Sequence, residues 1–298
     1  MKKLKVLSFT FLIGAMLTGC GAGDNGKQPS EDKKTTATST EEKKDVKSDL
    51  TTDEVFEKVI KKSEKYESYL AETKTTTEFE SKSNSNSNSD LKAKSTNSVK
   101  LQYVKEPFNL YMETESSAKN LSNNDTLNFK IKSYINDKGF YINNESTKQW
   151  IKYNDSAFKS MKGQLTKNLS DQLVEYKKYS SEFKMENEGT TYHIYVKKDS
   201  KKFNVFLQGV VNQQLTELMG REQGNTVKDP TFKDVEYELF IDKETFDILE
   251  VKFNLTLNGK INNEKVDMKI QVDGNYSEFN KVKPTALPKE AEKKAKSI

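Results

Sequence analysis

The sequence predicts an α+β domain built on an antiparallel sheet, and three patterns carry that reading: one capped amphipathic helix, long stretches of period-two apolar alternation, and a closing three-strand meander. Thr51 with Glu54 forms a capping box. Behind it Val55, Phe56, Val59, Ile60, Tyr66 and Leu70 recur at helical spacing, so the folded region opens with a helix.

The period then changes to two. Thr73, Thr75, Thr77 and Phe79, then Val99, Leu101 and Tyr103, then Phe108, Leu110 and Met112 alternate with polar residues and read as half-buried strands. Ser83 to Ser89, an Asn/Ser repeat without an apolar residue, reads as a mobile loop between the first two. Phe129, Ile131 and Ser133 to Ile135 make a further strand, Asn136 to Gly139 a turn, and Phe140 to Ile142 and Trp150 to Tyr153 two short strands.

The middle is read as helical. Phe158, Met161, Leu165, Leu169, Leu173 and Tyr176 repeat at three to four residues, as do Phe203, Phe206, Leu207, Val210, Val211 and Leu218, with Gly220 as a stop signal. A strand, Tyr192 to Val196, lies between them. The last third alternates most clearly, through Val235, Tyr237, Leu239 and Ile241, then Leu249 to Leu257, then Val266 to Val272. Asp242 to Thr245 and Asn258-Gly259 read as its turns, which makes a meander with one apolar face.

The N-terminus is of another kind. Lys2, Lys3 and Lys5 precede an apolar run, Val6 to Leu17, too short to span a bilayer as a lasting helix. Leu17, Thr18, Gly19 and Cys20 match the lipobox of bacterial lipoprotein precursors, so residues 1–19 are expected to leave as a signal peptide. The Cys20 thiol would then carry diacylglycerol through a thioether, and the cleaved chain would sit on the extracytoplasmic face of the cell membrane. One acyl chain binds only marginally, at about 0.8 kcal/mol per buried methylene, so two chains make the anchor stable. From Gly21 to Leu50 the sequence has almost no large apolar residue and cannot offset ordering entropy by burial. Residues 20–50 are therefore read as the lipidated cysteine and a disordered tether, and 51–298 as the folded domain. Such a tether spans roughly 30 Å on average.

Composition narrows the chemistry. Cys20 is the one cysteine, so no internal disulfide is possible, and with a single histidine zinc sites of thiolates or several imidazoles are excluded. Of 49 basic side chains three leave with the signal, which nearly balances the 45 acidic ones. No basic block remains to argue for nucleic acid. His193 lies in a short alternating strand and is read as a surface or rim residue, with no triad around it. Neither a phosphate-binding glycine loop nor an EF-hand is present, and Asp273-Gly274-Asn275 is read as a turn. Trp150 and the tyrosine-rich strands could form a binding platform, although aromatics at period two are more often core or cross-strand pairs. No enzyme activity, cofactor or metal is expected.

Two segments carry a resemblance: Tyr237 to Leu257, with Phe240-Ile241-Asp242-Lys243-Glu244-Thr245, and the ending Gly274-Asn275-Tyr276-Ser277-Glu278-Phe279-Asn280-Lys281-Val282 to Pro288. They resemble a family of uncharacterised Gram-positive lipoproteins similar to the outer-membrane lipoprotein carriers and the mycobacterial lipid-binding lipoproteins. The resemblance implies a curved antiparallel sheet, a half-barrel wrapped around helices, with an apolar pocket for acyl chains. It carries over no ligand residue. If both middle helices sit within such a sheet, Met161, Leu165, Phe206, Val210, Phe253 and Met268 share an interior. The expected function is noncatalytic binding or transfer of a lipid or other hydrophobic molecule by a membrane-anchored lipoprotein. The alternative is a cell-envelope module that binds a protein or polymer.

Overall fold

The computed structural model describes residues 50–82, 90–155, 158–159, 169–196, 200–207, 209, 228–261 and 264–297. The lipobox with Cys20, the tether, the Ser83 to Ser89 repeat, and Met161, Leu165, Val210 and Gly220 lie outside the described residues.

Helix α1 (Thr52–Ser63) begins where its capping box predicts. The Glu54 backbone N–H donates to Thr51 Oγ1 at 3.3 Å, and the Thr51 N–H donates to Glu54 Oε2 at 2.8 Å. Val55, Phe56, Val59 and Ile60 are its buried side. Tyr66 and Leu70 do not continue the helix, as their spacing had implied: Tyr66 lies in the connection and Leu70 in the first strand. Helix α2 (Leu169–Lys177) and the helical residues 201–207 stand where the middle periodicity predicts helices.

The strands are β1 (Ser68–Lys82), β2 (Leu91–Val104), β3 (Asn109–Asn120), β4 (Thr126–Asn136), β5 (Gly139–Asn144) and β6 (Gln149–Lys152) in the first run. The second run is β7 (Phe183–Glu188), β8 (Thr191–Val196), β9 (Lys228–Asp242), β10 (Ile248–Ile261) and β11 (Glu264–Ser277), with β12 (Lys296–Ser297) last. All belong to one sheet in the order β12-β6-β5-β4-β3-β2-β1-β11-β10-β9-β8-β7. Two meanders thus meet where β1 pairs β11, and β7 and β12 stay as open edges. Every pairing is antiparallel except β12 with β6.

The expected α+β balance gives way to a mostly β protein, a large, curved, unclosed antiparallel sheet with few helices. The reason lies in strand length. Thr- and Ser-rich stretches such as Ser95 to Ser98 and Thr114 to Ser117 stay in the ladders, whose bonds come from backbone groups whatever the side chain. Two turn expectations fail on the same ground. Asn258-Gly259 lies inside β10, whose pairing with β11 runs on to Ile261↔Glu264. Asp273-Gly274-Asn275 lies inside β11, with Gly274 opposite Thr73 on one side and Val251 on the other. The Asn136 to Gly139 turn is as expected, and Gly139 takes a φ of +132° that a side chain would strain.

The main core lies on the inner face, where α1 and α2 pack. Val55, Phe56, Leu173 and Phe203 join Tyr69, Leu239, Ile241, Leu257 and Met268 in one buried cluster. On the outer face Tyr111, Tyr134, Tyr141 and Trp150 form a second cluster, closed by Ala291 and Leu287. The C-terminal segment reaches it by crossing the sheet, where Asn109 and the Thr285 backbone exchange two hydrogen bonds at 3.0 Å.

Candidate binding face

The inner face has a sealed end and an open one. At the sealed end Leu169, Leu173 and Tyr176 of α2 press on Tyr237, Leu239, Ile248, Val251 and Tyr276, leaving a void of about 10 Å³. That is space for about one water molecule, far below the 300–1,000 Å³ of a typical ligand pocket. The expectation of a cavity between this helix and the sheet is therefore not met, because aromatic rings fill the gap. Tyr176 and Tyr237 have centroids 4.8 Å apart, and Phe203 lies 5.2 Å from Phe183 and 6.0 Å from Tyr237. Burial pushes the Tyr176 hydroxyl up to about 12, and it raises Tyr237 and Tyr276 as well. These phenols stay protonated at neutral pH and act as hydrogen-bonding groups within a core.

Of the six expected pocket residues, Phe206, Phe253 and Met268 are described, and all three belong to the main core or pack against it. Phe206 sits at the sealed end, 4.7 Å from Tyr179 and 5.7 Å from Tyr176. Phe253 touches Tyr237 at 6.4 Å, and Met268 lies farther along, paired with Leu257 and Phe79. Met161, Leu165 and Val210 fall outside the described residues.

From Val251 to Leu257 is six residues of strand, roughly 20 Å of inner face beyond the void. Toward that end the face divides chemically. Strands β10 and β11 present Leu255, Leu257, Met268 and Ile270, all buried. Strands β1 to β3 present Thr75, Thr77, Ser95, Asn97, Thr114 and Ser116, also buried. On β4 the inner face opens: Ile135 is 1% exposed, Ile131 and Phe129 are half-buried, and Leu127 is 49% exposed. Sequence reasoning placed Phe129 and Ile131 on a strand but missed this gradient, since periodicity reports which face a residue takes and not what covers it.

The outer face carries the polar networks. His193 on β8 is a half-buried residue, its Nδ1 2.9 Å from Glu188 Oε1 and its Nε2 2.6 Å from Glu238 Oε2. Its ring stacks on Phe240 at 4.4 Å. Ligand atoms of Glu186, Glu188 and His193 lie within 4.8 Å of one another. A metal ion there would replace the hydrogen bond at one ring nitrogen, while the other nitrogen would keep its carboxylate. Trp150 forms no open platform: it is buried, 5.7 Å from Tyr134, under the C-terminal segment. Between β2 and β4 an open trough of about 530 Å³ is lined mainly by outer-face polar groups, among them Ser98, Glu115, Asn128 and Lys130.

Fold and face together define a class: an open, one-sided β protein whose inner surface is apolar on one flank and neutral-polar on the other. The chain belongs to a family of unknown function (DUF6612), which its residues 51–296 match. No curated protein matches it in sequence. Among solved structures it shows likeness to a chain described under lipid–protein interactions in lipovitellin, at 7% identity and a TM-score of 0.29. That likeness covers 75% of this chain and 26% of the other, so the chain spans about a quarter of lipovitellin's length. A β-barrel-like protein of a domain of unknown function (DUF1849) from Brucella abortus shows 8% identity and a TM-score of 0.21, over 70% of this chain and 98% of that one. Overlaps this loose carry no argument about ligand. Among the described residues, no helix is long and apolar enough to cross a membrane.

Proposed function

We propose that this protein is a noncatalytic binder or carrier of a lipid or other hydrophobic molecule, held on the extracytoplasmic face of the cell membrane by acyl chains on Cys20. The observation that carries the reading is the row Ile131, Phe129, Leu127, an apolar stripe on the inner face that runs from the buried core out to solvent. A stripe that only served the core would be covered along its length, since exposing a large apolar side chain forgoes about 1.5–3 kcal/mol of burial. The void under α2, about 10 Å³, is too small for such a molecule, which supports a site toward the far end.

The second reading, an envelope module that binds a polymer or protein, draws on the outer-face trough. There Lys130 pairs Glu115 at 2.6 Å, leaving a neutral hydrogen-bonding surface.

A long-chain alcohol carrying an alkyl diazirine separates the two. Irradiated with the full chain, it should label Leu127, Phe129, Leu257 or Met268, resolved residue by residue by tandem mass spectrometry. Label confined to outer-face residues such as Ser117 and Lys130 would overturn the lipid reading in favour of the second. The anchor is tested apart from both. Cys20→Ala should abolish incorporation of an alkyne fatty acid, and label persisting on that variant would remove the anchor from the proposal.

A further inference from the structure

We propose that the polar flank of the inner face binds the uncharged head of a neutral amphipathic lipid, one with hydroxyl and ester groups and no ionised group. This inference rests on the lipid-binding reading above and deepens it. Thr77 and Ser95 stand opposite each other on β1 and β2, 2% and 4% exposed. Neither hydroxyl has a hydrogen-bond partner among the described residues. A buried hydroxyl without a partner is costly, and two opposite each other on the inner face mark a place where a ligand's oxygens would complete the bonding. On one side their neighbours are polar: Thr75 on the same strand, Asn97 beside it on β2, and Ser116, whose hydroxyl donates to Asn97 Oδ1 at 2.5 Å.

Charge selects the ligand further. In a chain with 49 basic and 45 acidic side chains, the inward positions of β1, β2, β3, β10 and β11 carry one charged residue, Glu264 at the outermost end of β11, which accepts a hydrogen bond from Ser81 at 3.4 Å, and no cation. A phosphate or carboxylate placed there would lose its hydration and meet no cation. Hydroxyl and ester groups, by contrast, are matched by Thr, Ser and Asn, which both donate and accept. The acyl chains then lie across on Leu255, Leu257 and Met268, on the apolar flank.

The test uses the full chain with lipids delivered from cyclodextrin and bound lipid counted by native mass spectrometry. Dioleoylglycerol should be retained at least about ten-fold better than dioleoyl phosphatidate, the discrimination expected of roughly 1.4 kcal/mol. The double variant Thr77→Val, Ser95→Val should lose about ten-fold in dioleoylglycerol and retain squalene, which has no polar group, as before. Equal retention of glyceride and phosphatidate by the wild type would overturn the inference and leave the lipid reading standing. Equal loss of dioleoylglycerol and squalene in the variant would also overturn it, since the hydroxyls would then act through packing alone. Retention of none of the three lipids would sink the lipid reading itself. Should the double variant fail to fold, Ser95→Ala with the wild-type selectivity gives the same decision.

Discussion

The two ends of the inner face are made by the same strands and are closed in opposite ways. Under α2 the strands meet Leu169, Leu173 and Tyr176, and the residual void holds about 10 Å³. Roughly 13 Å along β10, level with Leu255, the face carries unpartnered hydroxyls at Thr77 and Ser95, and in the same row Leu127 is 49% exposed. The sealed end is filled by rings, whereas the far end keeps two buried hydroxyls without partners among the described residues and leaves Leu127 exposed on β4. That difference is what the proposed binding function rests on.

The comparison breaks first at the sealed end. Phe56 is fully buried and meets Phe183 edge-on at 5.4 Å, so Phe56→Ala should cost about 3–5 kcal/mol in urea unfolding. A cost under about 1 kcal/mol would show that this end also yields, and would erase the contrast. At the far end the sign reverses. Thr77→Val keeps the shape and removes an unsatisfied group, so the lipid-free protein should gain about 1 kcal/mol. A loss of similar size would mean that the hydroxyl is satisfied within the fold.

The smallest effect belongs to a turn outside both ends and serves as their reference. Asp242 Oδ1 accepts from the Thr245 backbone N–H at 2.7 Å and the Glu244 N–H at 3.0 Å, and the Thr245 bond chiefly holds its carboxyl below its ordinary 3.8. The folded state thus binds this proton more weakly than the unfolded one. Its contribution is complete above that ordinary value and is lost as pH falls through the folded value. Asp242→Asn should flatten the acid side of the stability profile below about pH 4 and change little at pH 7. An unchanged acid slope would refute that role.

What was legible in the sequence follows from the range of the forces. The capping box and the Asp242 turn are local and appear as read. The alternation of Tyr237 to Ile241, Phe253 to Leu257 and Val266 to Val272 also holds, because one buried face imposes period two. Asn258-Gly259 and Asp273-Gly274-Asn275 misled because pairing with distant strands overrides a local turn preference, and no local signal records the partner. The outer-face cluster was missed although a signal existed: Tyr134-Ile135 and Phe140-Tyr141 are adjacent apolar pairs, which a strand buried on one face does not need. The site was half legible. Phe253 and Met268 were found by their alternation, and Thr77 was placed on the buried side of its strand in the same way, while Ser95 was passed over because a small polar residue on a strand reads as solvated. Only register showed that Ser95 faces inward too, opposite Thr77.

Whether the inner face holds a lipid is decided by native mass spectrometry of the full chain purified from its membrane. A lipid-bound protein shows a noncovalent adduct of lipid mass beyond the acylated Cys20, recovered in an organic extract and lost on unfolding. A folded chain that carries no adduct, with no lipid in the extract and none taken up when offered, would contradict the lipid-binding proposal.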